Sequence, residues 1–235
     1  MFEKCRKQFS VFCLALLAAL LTSCSDDSTS AETDSFDASV VCPAEGVNAY
    51  GEPNRGTFTD ARDGQVYKYT TIGNQVWMAE NMKFDAPYSL CYEKIEGFCD
   101  TFGRFYSLHV NGNDLDFFDQ ELLDTICPAG WHVPSMYEWQ TLYDIMGGDA
   151  NAVARLKSSE NFGERYKLGT DECGFNSIPA GSWLLNGILS SEYASAVYWT
   201  STAKGLQLSF CVDLTDNELI FWTNYPKMSI RCIKD

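Results

Sequence analysis

Three observations predict an α+β fold with mainly antiparallel pairing. Gln65 to Ile72 and Gln75 to Met82 read as two strands, joined by Gly73-Asn74, which supplies the positive-φ backbone a two-residue hairpin turn needs. One strongly specified helix begins at Ser135. After Gly174 the chain turns to short β-rich pieces separated by Gly, Ser and Asn. Helix signals followed by strand signals, without βα alternation, point to segregated elements and an antiparallel sheet.

Each element has its own signature. Ser135-Met136-Tyr137-Glu138 matches a capping box, in which hydroxyl and carboxylate satisfy the exposed amides of a helix start. Trp139, Leu142, Tyr143 and Met146 recur at helical spacing, and Gly147-Gly148 ends the run. A second short helix is expected over about Asp149 to Lys157, with Val153 and Leu156 on one face. Strands are expected at Ala196 to Thr200, Leu206 to Leu214, Leu219 to Thr223 and, closing the domain, Met228 to Ile233. The stretch 57–235 is rich in Trp, Tyr and Phe and long enough for one compact domain.

The first residues set the protein's address. Lys4, Arg6 and Lys7 precede an apolar run from Phe9 to Leu21, the layout of a signal peptide. The run is shorter than the roughly 20 residues a spanning helix needs. Leu21-Thr22-Ser23-Cys24 resembles a bacterial lipobox. In such signals the peptide 1–23 is removed and the Cys, here Cys24, is lipidated, so that acyl chains hold the protein at a membrane. The competing reading is an ordinary secreted protein cut at a small-residue site. Ser25-Asp26-Asp27 resembles the acidic surface-export signal of some Gram-negative lipoproteins, which implies an outer-membrane, surface-exposed location. Residues 24–56 read as an acidic tether and irregular lead-in, because 25–41 is Ser/Thr/Asp/Glu-rich and almost free of large apolar residues.

Removing 1–23 takes three of the 17 basic and one of the 32 acidic residues, leaving 14 and 31, a net charge of −17. Such a chain repels phosphate backbones, and no Lys/Arg stripe offsets this, so nucleic acid is a poor partner. The bland account of the acidity is solvated loops.

Ten Cys are present. Cys5 and Cys13 leave with the signal and Cys24 is committed to lipid, so seven remain in an exported chain, where disulfides are expected. Spacing does not fix connectivity. Cys91 and Cys99 suit a local loop, Cys127 and Cys232 would tie an early strand to the last one, and Cys173 with Cys211 is the third pairing, leaving Cys42 odd. Zinc competes poorly, since no C-x₂-C pair exists and the only His are His109 and His132.

The segments DGQVYKYTTIGNQVWMAENM (63–82), ICPAGWHVPSMYEW (126–139), GFNSIPAG (174–181), YWTST (198–202) and SIRCIKD (229–235) closely resemble, in this order, the Fibrobacter succinogenes major paralogous domain (FISUMP), over nearly all of 57–235. In that family the Cys before Gly-Trp-His and the Cys of the final Arg-Cys are typical, which implies Cys127–Cys232. Cys173 and Cys211 then look like additions in this member. More distantly, WHVPSMYEW and SIRCIKD resemble segments of formylglycine-generating enzyme and sulfatase-modifying domains. That resemblance implies a C-type-lectin-like fold: a loop-rich antiparallel sheet with flanking helices, disulfide-stapled, its N- and C-terminal strands side by side. It implies no reaction.

Most candidate site residues suit plain scaffolding. His132 lies in a motif that matches the family scaffold and reads as a hydrogen-bonded structural His. His109 has no recognisable partner in sequence. The catalytic cysteine pair of formylglycine-generating enzyme has no place on Cys173, Cys211 or any other position. Glu52-Pro53-Asn54 is the tripeptide mannose-type lectins use with calcium, but it precedes the domain and reads as coincidence. Asp114, Asp116, Asp119, Glu121 and Asp124, and again Asp213, Asp216 and Glu218, could supply oxygens to Ca²⁺, yet neither group follows the calcium-loop spacing. No cofactor is otherwise implied. Aromatics are the better hint. Trp183, Tyr193, Tyr198, Trp199, Phe221, Trp222 and Tyr225 lie in the strand-and-loop half, where lectin-like folds place ligands. Trp199 and Phe221 suit the core, whereas Trp183, Trp222 and Tyr225 neighbour Ser, Asn and Pro and suit exposure and ligand contact.

These features together predict a cell-envelope lipoprotein with a non-catalytic domain that binds a glycan or a cell-surface protein. A structural, envelope-assembly role without a small ligand is the alternative, and an enzyme of unknown chemistry comes third.

Overall fold

The structure, a computed structural model, describes residues 36–92, 95–109, 119–148, 151–164, 167–184, 188–190, 195–203, 209–214, 219–222 and 227–235. A single-turn helix α1 (Ala38–Val41) leads into three strands, β1 (Arg55–Thr59), β2 (Val66–Ile72) and β3 (Gln75–Met78). The short hairpin partners β4 (Ser89–Leu90) and β5 (Phe105–Tyr106) bracket α2 (Phe98–Phe102). Then come α3 (Gln120–Ile126), β6 (Trp131–His132), α4 (Met136–Ile145) and α5 (Ala152–Leu156). The remaining strands are β7 (Ser182–Trp183), β8 (Leu189–Ser190), β9 (Ala196–Ala203), β10 (Ser209–Leu214), β11 (Leu219–Trp222) and β12 (Ile233–Lys234). The chain is thus mixed helix and antiparallel sheet, as its pattern predicts.

The central sheet has the order β1-β2-β3-β12-β6, so β12 inserts between β3 and β6 and brings distant stretches of the chain together. The β2–β3 hairpin turns at Gly73-Asn74. Glycine is required there twice over: its φ is 58°, and a Cβ would stand 2.9 Å from Cδ1 of Ile145 on α4. Strand alternation distributes the core. Met78 on β3 and Val197 and Trp199 on β9 join one buried cluster, whereas their neighbours Trp77, Ala196 and Tyr198 join a second. A third, around Phe98, Phe102, Phe105 and Ile178, lies beneath the β4–β5 and β7–β8 hairpins.

Helix α4 forms as its capping box dictates. Ser135 Oγ accepts from Glu138 N at 3.2 Å, and Glu138 Oε2 accepts from Ser135 N at 2.7 Å. Trp139, Leu142 and Met146 bury their side chains, with Trp139 stacked on Tyr198 at 5.3 Å between centroids and tilted on Trp77 at 4.8 Å. The second helix is only Ala152–Leu156. The strand expected at 228–233 is shorter than its pattern: Met228 and Ser229 make single bridges to Tyr106 and Tyr198, and only Ile233–Lys234 is regular.

Described residues ahead of 57 also pack here, in one compact unit with the rest of the described chain. Phe36 lies under the Arg155 guanidinium at 4.4 Å, Cys42 is 1% exposed, and Val47 and Pro53 pair across a turn. The acidic composition hid a few apolar residues that dock because a cross-link holds them. That cross-link corrects an expected pairing. Cys173 is bonded to Cys42, with Cα atoms 5.4 Å apart, and not to Cys211. Arg55 donates to both the Cys42 and the Glu172 carbonyls and draws the two segments together. Cys211 sits on β10 opposite Trp199 and Trp222 in register. Cys91 pairs with Cys99, and Cys127 with Cys232.

Candidate functional site

Arg231, fully buried just before Cys232, is a heavily hydrogen-bonded core side chain. Its Nε and Nη2 donate to Asn81 Oδ1 at 3.2 and 2.6 Å, Nη2 donates to the Asn176 carbonyl at 3.2 Å, and Nη1 donates to the Phe175 carbonyl. The guanidinium lies 4.7 Å from the centre of the Phe175 ring. Asn81 in turn donates to the Phe102 carbonyl at 2.9 Å, so one cation ties β3's exit, α2's end and the 174–178 segment together. The 171–176 loop is closed by Asp171, whose carboxylate accepts from Asn176 N at 2.6 Å. Both residues have positive φ, a conformation Asp and Asn tolerate. Burial pushes the Asp171 carboxyl up to about 6. Beside this latch a recess of about 80 Å³ is lined by Glu80, Glu160, Phe162, Ile178 and Arg231, room for a few waters and not for a sugar ring.

His132 is bracketed by two carboxylates. Nε2 lies 2.8 Å from Glu138 Oε1 and Nδ1 lies 2.7 Å from Asp235 Oδ1. The hydrogen bond to Glu138, opposed by partial burial and helped by Asp235, raises the His132 pKa. Burial works against ionising Glu138, but hydrogen bonds from His132 and Ser135 outweigh it and hold its carboxyl below the ordinary range. Ser135, His132 and Asp235 have the residue types of a hydrolytic triad without its bonding. The Ser135 hydroxyl bonds to Glu138, and each ring nitrogen faces a carboxylate. His109 is buried, edge-on to Trp199 at 5.8 Å.

Three partly buried rings, Tyr92, Phe162 and Trp183, pack against the third cluster. Trp183, on β7, is half-buried, with its backbone N–H donating to the Lys227 carbonyl at 2.9 Å and β8 at its side. Its ring meets Tyr92 edge-to-face, centroids 6.0 Å apart and planes at 65°. Tyr92 stands likewise against Phe98 at 5.5 Å. Leu90, Ile95, Phe162 and Leu189 are likewise partly buried against the same cluster. Tyr92 belongs to the loop that Cys91–Cys99 closes. Sequence reasoning picked out the Cys spacing and missed the Tyr. Of the other two expected ligand residues, Trp222 lies on β11 and Tyr225 falls between described segments. The Trp222 side chain and all of Tyr225 lie outside the described residues, as do Tyr193 and the lipidation site Cys24.

The acidic candidates are used locally. Asp119 caps α3 by accepting from Leu122 N at 3.0 Å, and Asp124 accepts from Gln120 at 2.7 Å. Asp114, Asp116, Asp216 and Glu218, and the side chain of Asp213, lie outside the described residues. Glu52 pairs with Lys234 at 2.5 Å, and Asn54 donates to the Glu45 carbonyl. Among the described residues no three His, Cys, Asp or Glu gather to hold a metal, and no helix is long and apolar enough to cross a membrane.

Residues 70–234 match the family model of the Fibrobacter succinogenes major domain. The chain belongs to that family. Comparison with curated proteins found no significant match, and comparison with solved structures found none either. Within this Fibrobacter succinogenes major domain, the recurring segments build scaffold. Ala79-Glu80-Asn81-Met82 supplies Asn81, the 174–181 segment supplies Phe175 and Asn176, and the last segment supplies Arg231, the three parts of the latch. The 126–139 segment supplies His132, Ser135 and Glu138. Tyr92 and Trp183 lie outside all five segments.

Proposed function

We propose that this chain is an outer-membrane lipoprotein, anchored through Cys24 and facing the cell exterior, whose C-type-lectin-like domain acts by binding a glycan or a surface protein and not by catalysis. The observation that carries the reading is the Tyr92–Trp183 pair, two rings in contact and left only partly buried in a domain that fully buries Trp77, Trp139 and Trp199. Flat rings of this kind stack on the apolar faces of sugars or anchor protein interfaces. Support for the lectin-like arrangement comes from β12 lying beside β3, with Cys127–Cys232 tying the 126–139 segment to the closing strand. The bonding of Ser135 and His132 favours scaffold over chemistry. The net charge of −17 disfavours nucleic acid as partner.

A glycan array probed with the mature protein, with and without a calcium chelator, tests this. Saturable binding lost in Trp183→Ala is expected, and loss on chelation would add Ca²⁺ as a cofactor. No binding under either condition overturns the glycan reading in favour of envelope assembly.

A further inference from the structure

We propose that the outer edge of β1 and the cavity at its end form a docking site for an extended, basic segment of a partner polypeptide. The inference goes beyond the reading above, since it needs neither the lipid anchor nor Trp183. β1 ends the order of the central sheet and, among the described residues, pairs with β2 alone. Thr71 N donates to the Asn54 carbonyl and Asp60 N to the Gln65 carbonyl, so every second residue between them, Gly56 and Phe58, bonds toward β2. Arg55, Thr57 and Thr59 therefore turn their N–H and C=O groups away from the sheet, and all three residues are exposed. The usual guards of a free edge are missing. β1 has neither Lys nor Pro, its register with β2 has no bulge, and its one charged side chain, Arg55, is engaged with the Cys42 and Glu172 carbonyls. Such an edge accepts an added strand through main-chain bonds, with side-chain pockets supplying the selectivity.

A pocket stands where an added strand would run on past Thr59. It is a cavity of about 450 Å³ between residues 58–62, the end of α3 and residues 128–131, a usual size for a ligand site. Phe58, Pro128, Ala129 and Trp131 give it an apolar wall, with the Phe58 and Trp131 rings stacked 4.4 Å apart. Its charges are unequal. Arg62 is neutralised by Asp60 at 2.6 Å and spends Nη1 on the Thr125 and Ile126 carbonyls. The exposed Asp124 and Asp235 carboxylates remain: Asp124 accepts from the neutral Gln120 amide, and Asp235 shares His132 with Glu138. An apolar wall below two carboxylates suits the methylene stem and charged end of Lys or Arg. Other occupants fit less well. Residues 25–41 of the chain hold no Lys or Arg, and a second copy, at net charge −17, is repelled and brings on its own β1 only the engaged Arg55.

The test uses the oxidised mature chain and fluorescein-labelled nine-residue peptides of alternating Thr and Val, each with one Lys, norleucine or Glu at successive positions, read by anisotropy. Expected is saturable binding of a Lys peptide at a favoured position, weakened about tenfold by norleucine, which keeps the stem without the charge, and further by Glu. N-methylation of alternate peptide amides removes main-chain donors without touching the protein and should abolish binding. Asp124→Asn/Asp235→Asn should shrink the preference for Lys over norleucine to about twofold. Thr57→Pro withdraws an outward N–H that the β2 ladder does not use, and should weaken every peptide alike while the urea midpoint of the core is kept. Trp183→Ala should leave peptide binding unchanged, which separates failure of this site from failure of the earlier reading. Equal binding of Lys, norleucine and Glu peptides overturns the role of the cavity, and binding indifferent to N-methylation overturns that of the edge. Binding to no peptide, or self-association of the chain that Thr57→Pro abolishes, overturns the whole proposal.

Discussion

The central sheet and the surface over the third cluster use the same residue types to opposite ends. In the core around the sheet, Trp77, Trp139 and Trp199 are 0–1% exposed and Arg231 is closed in by three acceptors. Over the third cluster the rings of Tyr92, Phe162 and Trp183 remain partly in water, and the chain between them is held by two-strand hairpins and a short bridge. Deep burial, with the Trp77 and Trp199 indoles and the Arg231 guanidinium hydrogen-bonded, gives stability. Rings left half-wet gain less from folding and keep area for a partner.

That contrast can be broken by mutation. The largest effect is expected from Cys42→Ser/Cys173→Ser, which opens a loop 131 residues long and should cost about 4–5 kcal/mol in the chain-entropy model, read by urea unfolding. A loss under about 1 kcal/mol would return residues 36–56 to the role of a loose lead-in. Next comes Arg231→Met, which leaves Asn81 Oδ1 and the Phe175 and Asn176 carbonyls without their donor, and should cost about 3–5 kcal/mol. Trp183→Ala should cost only about 1–2 kcal/mol, below the figure for a fully buried Trp, while abolishing ligand binding. Equal destabilisation by Trp183→Ala and Arg231→Met would erase the distinction between the two regions. Ser135→Ala removes a helix cap and should cost about 1 kcal/mol.

The smallest effect is a pH dependence. His132, with its raised pKa, stabilises fully below the unfolded value of 6.5, and that contribution is lost as pH rises through its folded value. Glu138, with its lowered pKa, contributes above 4.5, a contribution lost as pH falls through its folded value. The bracket is therefore complete between those two pH values. Because the ring is 41% exposed, His132→Asn should flatten the rise in stability from pH 8 to pH 5.5 by less than about 1 kcal/mol. Asp171, raised to about 6, leans the same way and is isolated by Asp171→Asn.

What could be read from the chain alone follows the range of the forces involved. The β2–β3 hairpin and α4 are written in local chemistry: a Gly-Asn turn, a capping box and a helical apolar period, each within about ten residues. The Arg231 latch is not, since its acceptors are backbone carbonyls and an amide up to 150 positions away, and a carbonyl leaves no mark on a residue name. Cys42 was misjudged for a related reason. A short helix with three or four apolar residues has no periodicity to detect, and only its partner, Cys173, explains why it is ordered. Tyr92 was invisible because aromatic residues near Cys are ordinary, and only the fold brings its ring against Trp183.

Six consecutive residues, Ile230 to Asp235, contribute a buried apolar side chain, the latch, a disulfide, the strand between β3 and β6, the Lys234–Glu52 pair and the Asp235 arm on His132. The hairpin that emerges first during synthesis must therefore wait some 150 positions for the strand that completes its edge. A chain cut short before residue 230 therefore keeps its first hairpin with an unpaired edge and an unfinished core, the state most prone to aggregation.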